Sequence, residues 1–373
     1  MTNNLLLIIA AFFLSVVCGF VSIPIIMNYC KEKSIYDIPN SRKMHKIAIP
    51  RLGGICFLPS MFLAFVGAML AFRFYFVGGT EVTFSLWSLY FFVSLMLVYG
   101  VGLVDDLIGL GAKTKFLFQI MAAVLMPAGG LYFNSFYGFL GIHEVSYVIG
   151  APLTVFLIVF ITNSINLIDG IDGLAAGLSF IALSGFLVCF MAEDVWLYGI
   201  LIAGLMGVLV PFLYFNLFGD SDKNRKIFMG DSGSLTLGFI LGFLAVKYSM
   251  DNPNVMFWRP DCLLLSYTFL IVPTFDVVRV SAIRFKHHTP AFKADKNHFH
   301  HKLLRAGLTQ HQALIALLLL ALFFIGLNLT LNGVLSSTLI VVCDIVVWVL
   351  VHQVVNAFIR KRGEQVFKFN VNP

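Results

Sequence analysis

The 373-residue chain is 59% hydrophobic and only 12% charged, with a mean hydropathy of +0.91, which excludes a soluble globular protein and exceeds what one or two membrane spans would hold. A formal charge of +6 does not argue for nucleic acid here, because in so apolar a chain the distribution of Lys and Arg among loops matters more than their sum. Six cysteines stand without a CxxC or paired spacing, so neither a zinc site nor a disulfide framework is indicated.

Apolar segments of spanning length fall at about 5–29, 52–76, 86–104, 116–133, 149–167, 174–191, 197–218, 234–250, 262–280, 312–331 and 336–358, eleven candidate helices. The first follows MTNN, has no basic leader and runs to Tyr29 without a small-residue cleavage site, so it reads as a retained span rather than a cleaved signal. Alternate loops hold 22 of the 25 Lys and Arg, and the other side holds only Arg73, Lys247 and Arg259. The positive-inside rule then places the N-terminus outside and the C-terminus in the cytoplasm. The expected fold is an all-α, polytopic integral membrane protein of about eleven transmembrane helices, a single domain over 1–373. Its cytoplasmic loops 30–51, 105–116, 166–173, 219–233 and 281–311 carry most of the acids and would form any active site.

Along that face, loop one (YDIPNSRKMHKIAIPRLGG) combines a Pro39-Asn40 turn with Arg42, Lys43, His45, Lys46 and Arg51. It suits either anionic lipid or a phosphate, and the Gly53-Gly54 entry to the next span favours close backbone approach to a ligand. Asp105 and Asp106 end the third span, with Lys113 and Lys115 just beyond; a structural pairing with those lysines and a cation site are both open. In NSINLIDGIDGLAAG, Asn163, Asn166, Asp169 and Asp172 stand three apart, and Gly170 and Gly173 let the helix loosen between them. Next comes YFNLFGDSDKNRKIFMGDSGS. Asp220 and Asp222 sit among Lys223, Arg225 and Lys226 as solvated neighbours, whereas Asp231 lies where the next span begins and is either a helix cap or a ligand. Phe228 suits packing or stacking on a ring. Asp276 and Arg279, three apart, read as a pair. His298, His300 and His301 are flanked by Lys296, Lys302 and Arg305, a setting that repels a cation and suits phosphate or diphosphate.

Acids able to hold Mg²⁺, amides, lysines and histidines on one membrane face point to phosphoryl chemistry on a water-soluble donor, with an acceptor arriving from the bilayer. A transporter would place its acids near the midplane, often in repeats, and neither is visible. A CDP-alcohol phosphatidyltransferase needs a basic residue after DG, where this chain has Gly173-Leu174-Ala175-Ala176.

Taken as a set, DD at 105–106, NSINLIDGIDGLAAG, FMGDSGS, H-x-H-H at 298–301 and DxPNxRKxH in loop one resemble the polyprenyl-phosphate N-acetylhexosamine-1-phosphate transferase family over about residues 36–310. H-x-H-H with the following RAGLT is closer to its N-acetylglucosaminyl branch than to the muramoyl-pentapeptide branch, which stays as the alternative within the family. The resemblance implies a bacterial inner-membrane enzyme dependent on Mg²⁺, with Mn²⁺ as a substitute. It would transfer HexNAc-1-phosphate from a UDP-N-acetylhexosamine to undecaprenyl phosphate, release UMP, and start a cell-surface polysaccharide such as O-antigen. Its partners would be those two substrates and membrane lipid, with no nucleic acid; a homodimer is admitted.

Residue by residue, the resemblance makes Asp231 the principal metal ligand, helped by Asn166, with Asp105 and Asp106 beside the metal and the lipid phosphate. Asp169 would lie between nucleotide and metal, and Lys115 would meet the phosphates. His298, His300 and His301 would line the diphosphate or sugar side. Asn163, Gly170, Ile171, Asp172 and Phe228, with Asn216 and Lys46, would bind substrate, chiefly its uridine. A phosphate monoester is mostly a dianion at neutral pH, so direct attack on the donor needs no base; a covalent aspartyl-phosphate through Asp105 is the rival scheme.

Overall fold

A computed structural model describes residues 2–37, 49–75, 86–220, 225–252, 256, 258–290 and 296–367. The described residues form thirteen helices: α1 (Thr2–Glu32), α2 (Phe57–Tyr75), α3 (Leu86–Ile108), α4 (Ala112–Ala128), α5 (Tyr147–Ile168), α6 (Leu174–Ala192), α7 (Trp196–Leu217), α8 (Gly230–Ser249), α9 (Cys262–Phe269), α10 (Ile271–Lys286), α11 (Phe299–Arg305), α12 (Gln310–Leu331) and α13 (Ser337–Lys361). A two-residue ribbon, β1 (Tyr36–Asp37) against β2 (Ile49–Pro50), pairs antiparallel with Tyr36 opposite Pro50. The protein is all-α and crosses the membrane many times.

Nine of these helices are long and apolar enough to cross a bilayer. The expected eleven is reached only if α4 and the α9–α10 pair are each counted as a crossing. Helix α4 has 17 residues, roughly 25 Å of rise, slightly less than a hydrocarbon core. The span expected at 262–280 is not one straight helix: α9 and α10 meet at a 72° bend. Pro273 lies in the first turn of α10, where it lacks an N–H and its ring excludes a helical carbonyl at Phe269, so the break falls there.

Helix α8 is the axis of the bundle and is buried from Ser232 to Ser249. Small residues at four-residue intervals, Ser234, Gly238 and Gly242, make this possible by letting backbones touch. A Cβ on Gly238 would lie 2.7 Å from the Thr162 Cα, and one on Gly242 would lie 3.2 Å from the Ile158 Cα, so α5 and α8 meet backbone to backbone. The first turn of α8 is thereby fixed at the end of the bundle where α3 and α5 finish and α4 and α6 begin. That end holds the site.

Candidate active site

The MGDS turn that opens α8 is closed by a carboxylate from another helix. Gly230 takes φ +74°, a left-handed conformation that glycine adopts without strain, and a Cβ there would strike the Arg51 carbonyl. The vacant space admits Asp106, whose two oxygens accept the backbone N–H groups of Asp231 (2.8 Å) and Ser232 (2.9 Å). A helix start needs partners for its first N–H groups and favours negative charge. Asp106, 3% exposed, supplies both from α3, so Asp231 is not the cap that one sequence reading allowed.

Around Asp231 the remaining polar groups converge. Lys115 Nζ lies 2.5 Å from Asp231 Oδ2 and 3.3 Å from Asp105 Oδ2, and Asp105 Oδ1 accepts the Leu110 N–H at 2.7 Å. Asn166 Nδ2 donates to Asp231 Oδ1 (3.2 Å) and to Ser234 Oγ (2.8 Å), leaving its Oδ1 for a ligand. Asp105, Asp106 and Asp231 each offer one oxygen, and these oxygens lie within 4.8 Å of one another. Three carboxylates and an amide carbonyl, all oxygen donors without thiolate or imidazole, fit a hard divalent ion such as Mg²⁺ rather than zinc.

The α5–α6 connection supplies the next wall. Asp169 follows the last turn of α5, and its carboxyl is pushed up to about 7, first by burial and then by the charges of Asp231, Asp172 and Asp106. Asp172 pairs with Lys226 at 2.7 Å, a partner that the sequence does not single out. Ile171 is buried at 6% exposure. Asn216 is also buried: its Oδ1 accepts the Gly173 N–H at 2.6 Å, and its Nδ2 donates to the Ile227 carbonyl at 2.8 Å. It ties the two loops together and positions the wall. Phe228, half-buried, is strung between the Pro50 carbonyl and the Gly53 N–H. Asn163 is not gathered into this cluster, since its amide donates to Gln119 on α4 (2.5 Å) and to the Val159 carbonyl (2.8 Å), pinning α5 to α4. Lys46 lies outside the described residues.

The histidines close the site from α11. A Cβ on Gly170 would overlap the His300 Nε2, so that ring rests directly on the α5–α6 loop. His300 is 1% exposed, both its ring nitrogens lack hydrogen-bond partners among the described residues, and it stacks on His298 at 6.0 Å and lies tilted against His301 at 4.2 Å. Burial, then neighbouring histidines, lowers the His301 pKa to about 4 and the His300 pKa well below its ordinary value. Both rings therefore favour the neutral form in the free protein, and the positive charge around them comes from Lys and Arg, as the flanking sequence indicates. His298 is oriented by Asp276 on α10: Nδ1 meets Asp276 Oδ2 at 2.8 Å, while Oδ1 accepts the Phe299 N–H at 3.0 Å and Arg279 at 2.7 Å. The sequence shows the Asp276–Arg279 pair but not its third partner, 22 residues away in a loop. Gln119 and Ser234 were likewise invisible as partners, because contacts between helices leave no local pattern.

Residues 88–249 match the model of glycosyl transferase family 4. The chain is 31% identical over 323 residues to a Bacillus subtilis (strain 168) protein named "probable undecaprenyl-phosphate N-acetylglucosaminyl 1-phosphate transferase", covering 86% of this chain and 84% of that one. The chain belongs to this transferase family. An undecaprenyl-phosphate alpha-N-acetylglucosaminyl 1-phosphate transferase of Escherichia coli (strain K12) is 29% identical over 78% of this chain and 75% of its own length. The decaprenyl-phosphate N-acetylglucosaminephosphotransferase of Mycobacterium tuberculosis (strain ATCC 25618 / H37Rv) is 32% identical over 75% and 72%. The matched stretch holds the transferase's carboxylate cluster whole, from Asp105 to Asp231.

Proposed function

We propose that this transferase moves GlcNAc-1-phosphate from UDP-GlcNAc to undecaprenyl phosphate at the cytoplasmic face of a bacterial inner membrane, releasing UMP. The observation that carries the reading is the convergence of Asp105, Asp106, Asp231 and Lys115 at one end of the bundle, beside the Gly170–His300 contact. Names of the similar proteins, all of which specify a polyprenyl phosphate and an N-acetylglucosaminyl group, support the choice of substrates.

In the reaction, an oxygen of the lipid phosphate attacks the β-phosphorus of the donor. The α–β phosphoanhydride breaks, and UMP leaves with the bridging oxygen. Asp231 and the Oδ1 of Asn166, beside Asp105 and Asp106, would hold a magnesium ion, which supplies charge neutralisation on the diphosphate when bound. Lys115, already between Asp105 and Asp231, is placed to turn its ammonium to the phosphates and stabilise charge spread over their oxygens. His300 and His301, whose burial favours the neutral ring, suit hydrogen bonding to phosphate or sugar more than ion pairing. Asp172 with Lys226, Gly170 and Phe228 would receive the uridine.

Direct attack is favoured over an aspartyl-phosphate because Asp105 is engaged at both oxygens, by Leu110 N–H and Lys115, which lowers its nucleophilicity. Incubating labelled UDP-GlcNAc with the enzyme and no lipid acceptor should leave the protein unlabelled. UMP release should require both Mg²⁺ and polyprenyl phosphate; UMP formed without lipid, or none under any condition, would sink the proposal.

A further inference from the structure

Helix α7 ends with two chemically different faces. Asn216 and Leu217 face Gly173 and the site. Phe215 and Phe218 instead help line a cavity of about 460 Å³ against the end of α1, the β1–β2 ribbon and Arg225. The two sides share one backbone: Arg225 points to the cavity while its neighbour Lys226 pairs with Asp172.

The cavity is amphiphilic. Its apolar wall includes Phe215 and Phe218, the latter 75% exposed beside a membrane-spanning helix end. Its polar wall presents Asn28, Tyr36 and the cations Lys31 and Arg225. Neither cation makes a side-chain hydrogen bond or ion pair among the described residues. Asp220, which has a contact of its own, also lines the wall, so cations outnumber carboxylates two to one. Two cations with no partner among the described residues, over an aromatic wall at the end of two spans, suit a phosphodiester whose acyl chains remain in the bilayer.

We propose that this cavity binds the headgroup of an anionic phospholipid, its phosphate between Lys31 and Arg225 and its chains against the outer surface of α1 and α7. The lipid then braces Gly219, Asp220 and Arg225 from behind. Gly219, which approaches the Arg225 carbonyl too closely to allow a Cβ, and the Arg225 N–H bond to the Asp220 carbonyl at 2.9 Å fasten the end of α7 to Arg225, which passes the bracing to its neighbour Lys226.

Native mass spectrometry of the full chain, released from nanodiscs containing equal phosphatidylglycerol and phosphatidylcholine, tests the assignment. Wild type should retain phosphatidylglycerol selectively, and Lys31→Gln/Arg225→Gln should lower that retention about thirtyfold, as expected for two membrane-surface cations. Lys31→Arg/Arg225→Lys should keep it. Asn28→Trp, which fills the cavity at an exposed position without removing charge, should reproduce the loss if the double glutamine variant does not fold. Equal retention of both lipids by wild type, unchanged retention in the glutamine or Trp variants, loss in the charge-preserving variant, or equal occupancy by free glycerol phosphate would each overturn the proposal.

Discussion

Asp172 and Lys226 form a single ion pair on the proposed uridine side, while Asp231 stands in the carboxylate cluster. Asp172→Asn and Lys226→Gln should each raise KM for UDP-GlcNAc by about tenfold, with the double variant little worse than either single one, because partners in contact are not additive. Asp231→Asn should instead lower kcat by about 10³ or more with donor binding largely kept. Full additivity of the first pair, or equal kcat losses at both sites, would contradict this division. Asp276 touches no substrate in this scheme but holds the Nδ1 side of His298. Asp276→Asn should lower kcat by about 10²-fold and change the pH profile of kcat while leaving KM nearly constant; a parallel loss of folded protein with no change in profile would reduce Asp276 to a structural residue. Asp169, raised to about 7, favours its protonated form in the folded protein relative to an unfolded carboxyl near 4. Its stabilising contribution is present at acid pH and is lost as pH rises through about 7. Substrate-free protein should thus lose thermal stability from about pH 5 to pH 8, and Asp169→Asn should flatten that decline.

At the scale of helices and loops, two glycines make opposite demands. Gly238 lets α8 lie on the α5 backbone, and Gly238→Leu should cost about 1–3 kcal/mol or more by overpacking, seen as a lower thermal midpoint. Gly170→Ala should leave that midpoint nearly unchanged yet reduce turnover at least tenfold, since its methyl group would displace the His300 ring. Hydrophobic length alone identifies most helices, because eighteen or more apolar residues admit few other structures. It fails at the α9–α10 break, where Pro273 sits in a run whose composition still reads as one span. The site was legible as residue types at the ends of spans: Asp105, Asp106, Asn166, Asp169 and Asp231 do come together. What they do to one another was not. That Asp106 caps α8, that Asn216 fastens two loops and that Asn163 pins α4 all depend on pairings across 43 to 126 residues of chain.

For the molecule as a whole, the count of Lys and Arg predicts an orientation that the helices by themselves do not. Lys113→Cys and His143→Cys, both at exposed positions, should separate the two faces. A membrane-impermeant maleimide applied to intact spheroplasts should label residue 143 at once and residue 113 only after permeabilisation; the reverse pattern would invert the topology and move the carboxylate cluster to the wrong side for a cytoplasmic nucleotide sugar.

The Asp106 cap carries a mechanical meaning for the membrane setting. Because both its oxygens are bonded to the start of α8, the C-terminal end of α3 and the central helix are latched. Outer helices can then tilt as the bilayer thins or thickens without separating Asp105 and Asp106 from Asp231. Turnover should accordingly vary little across lipids of different acyl length until Asp106→Ala unfastens the latch, after which the enzyme would become a gauge of bilayer thickness.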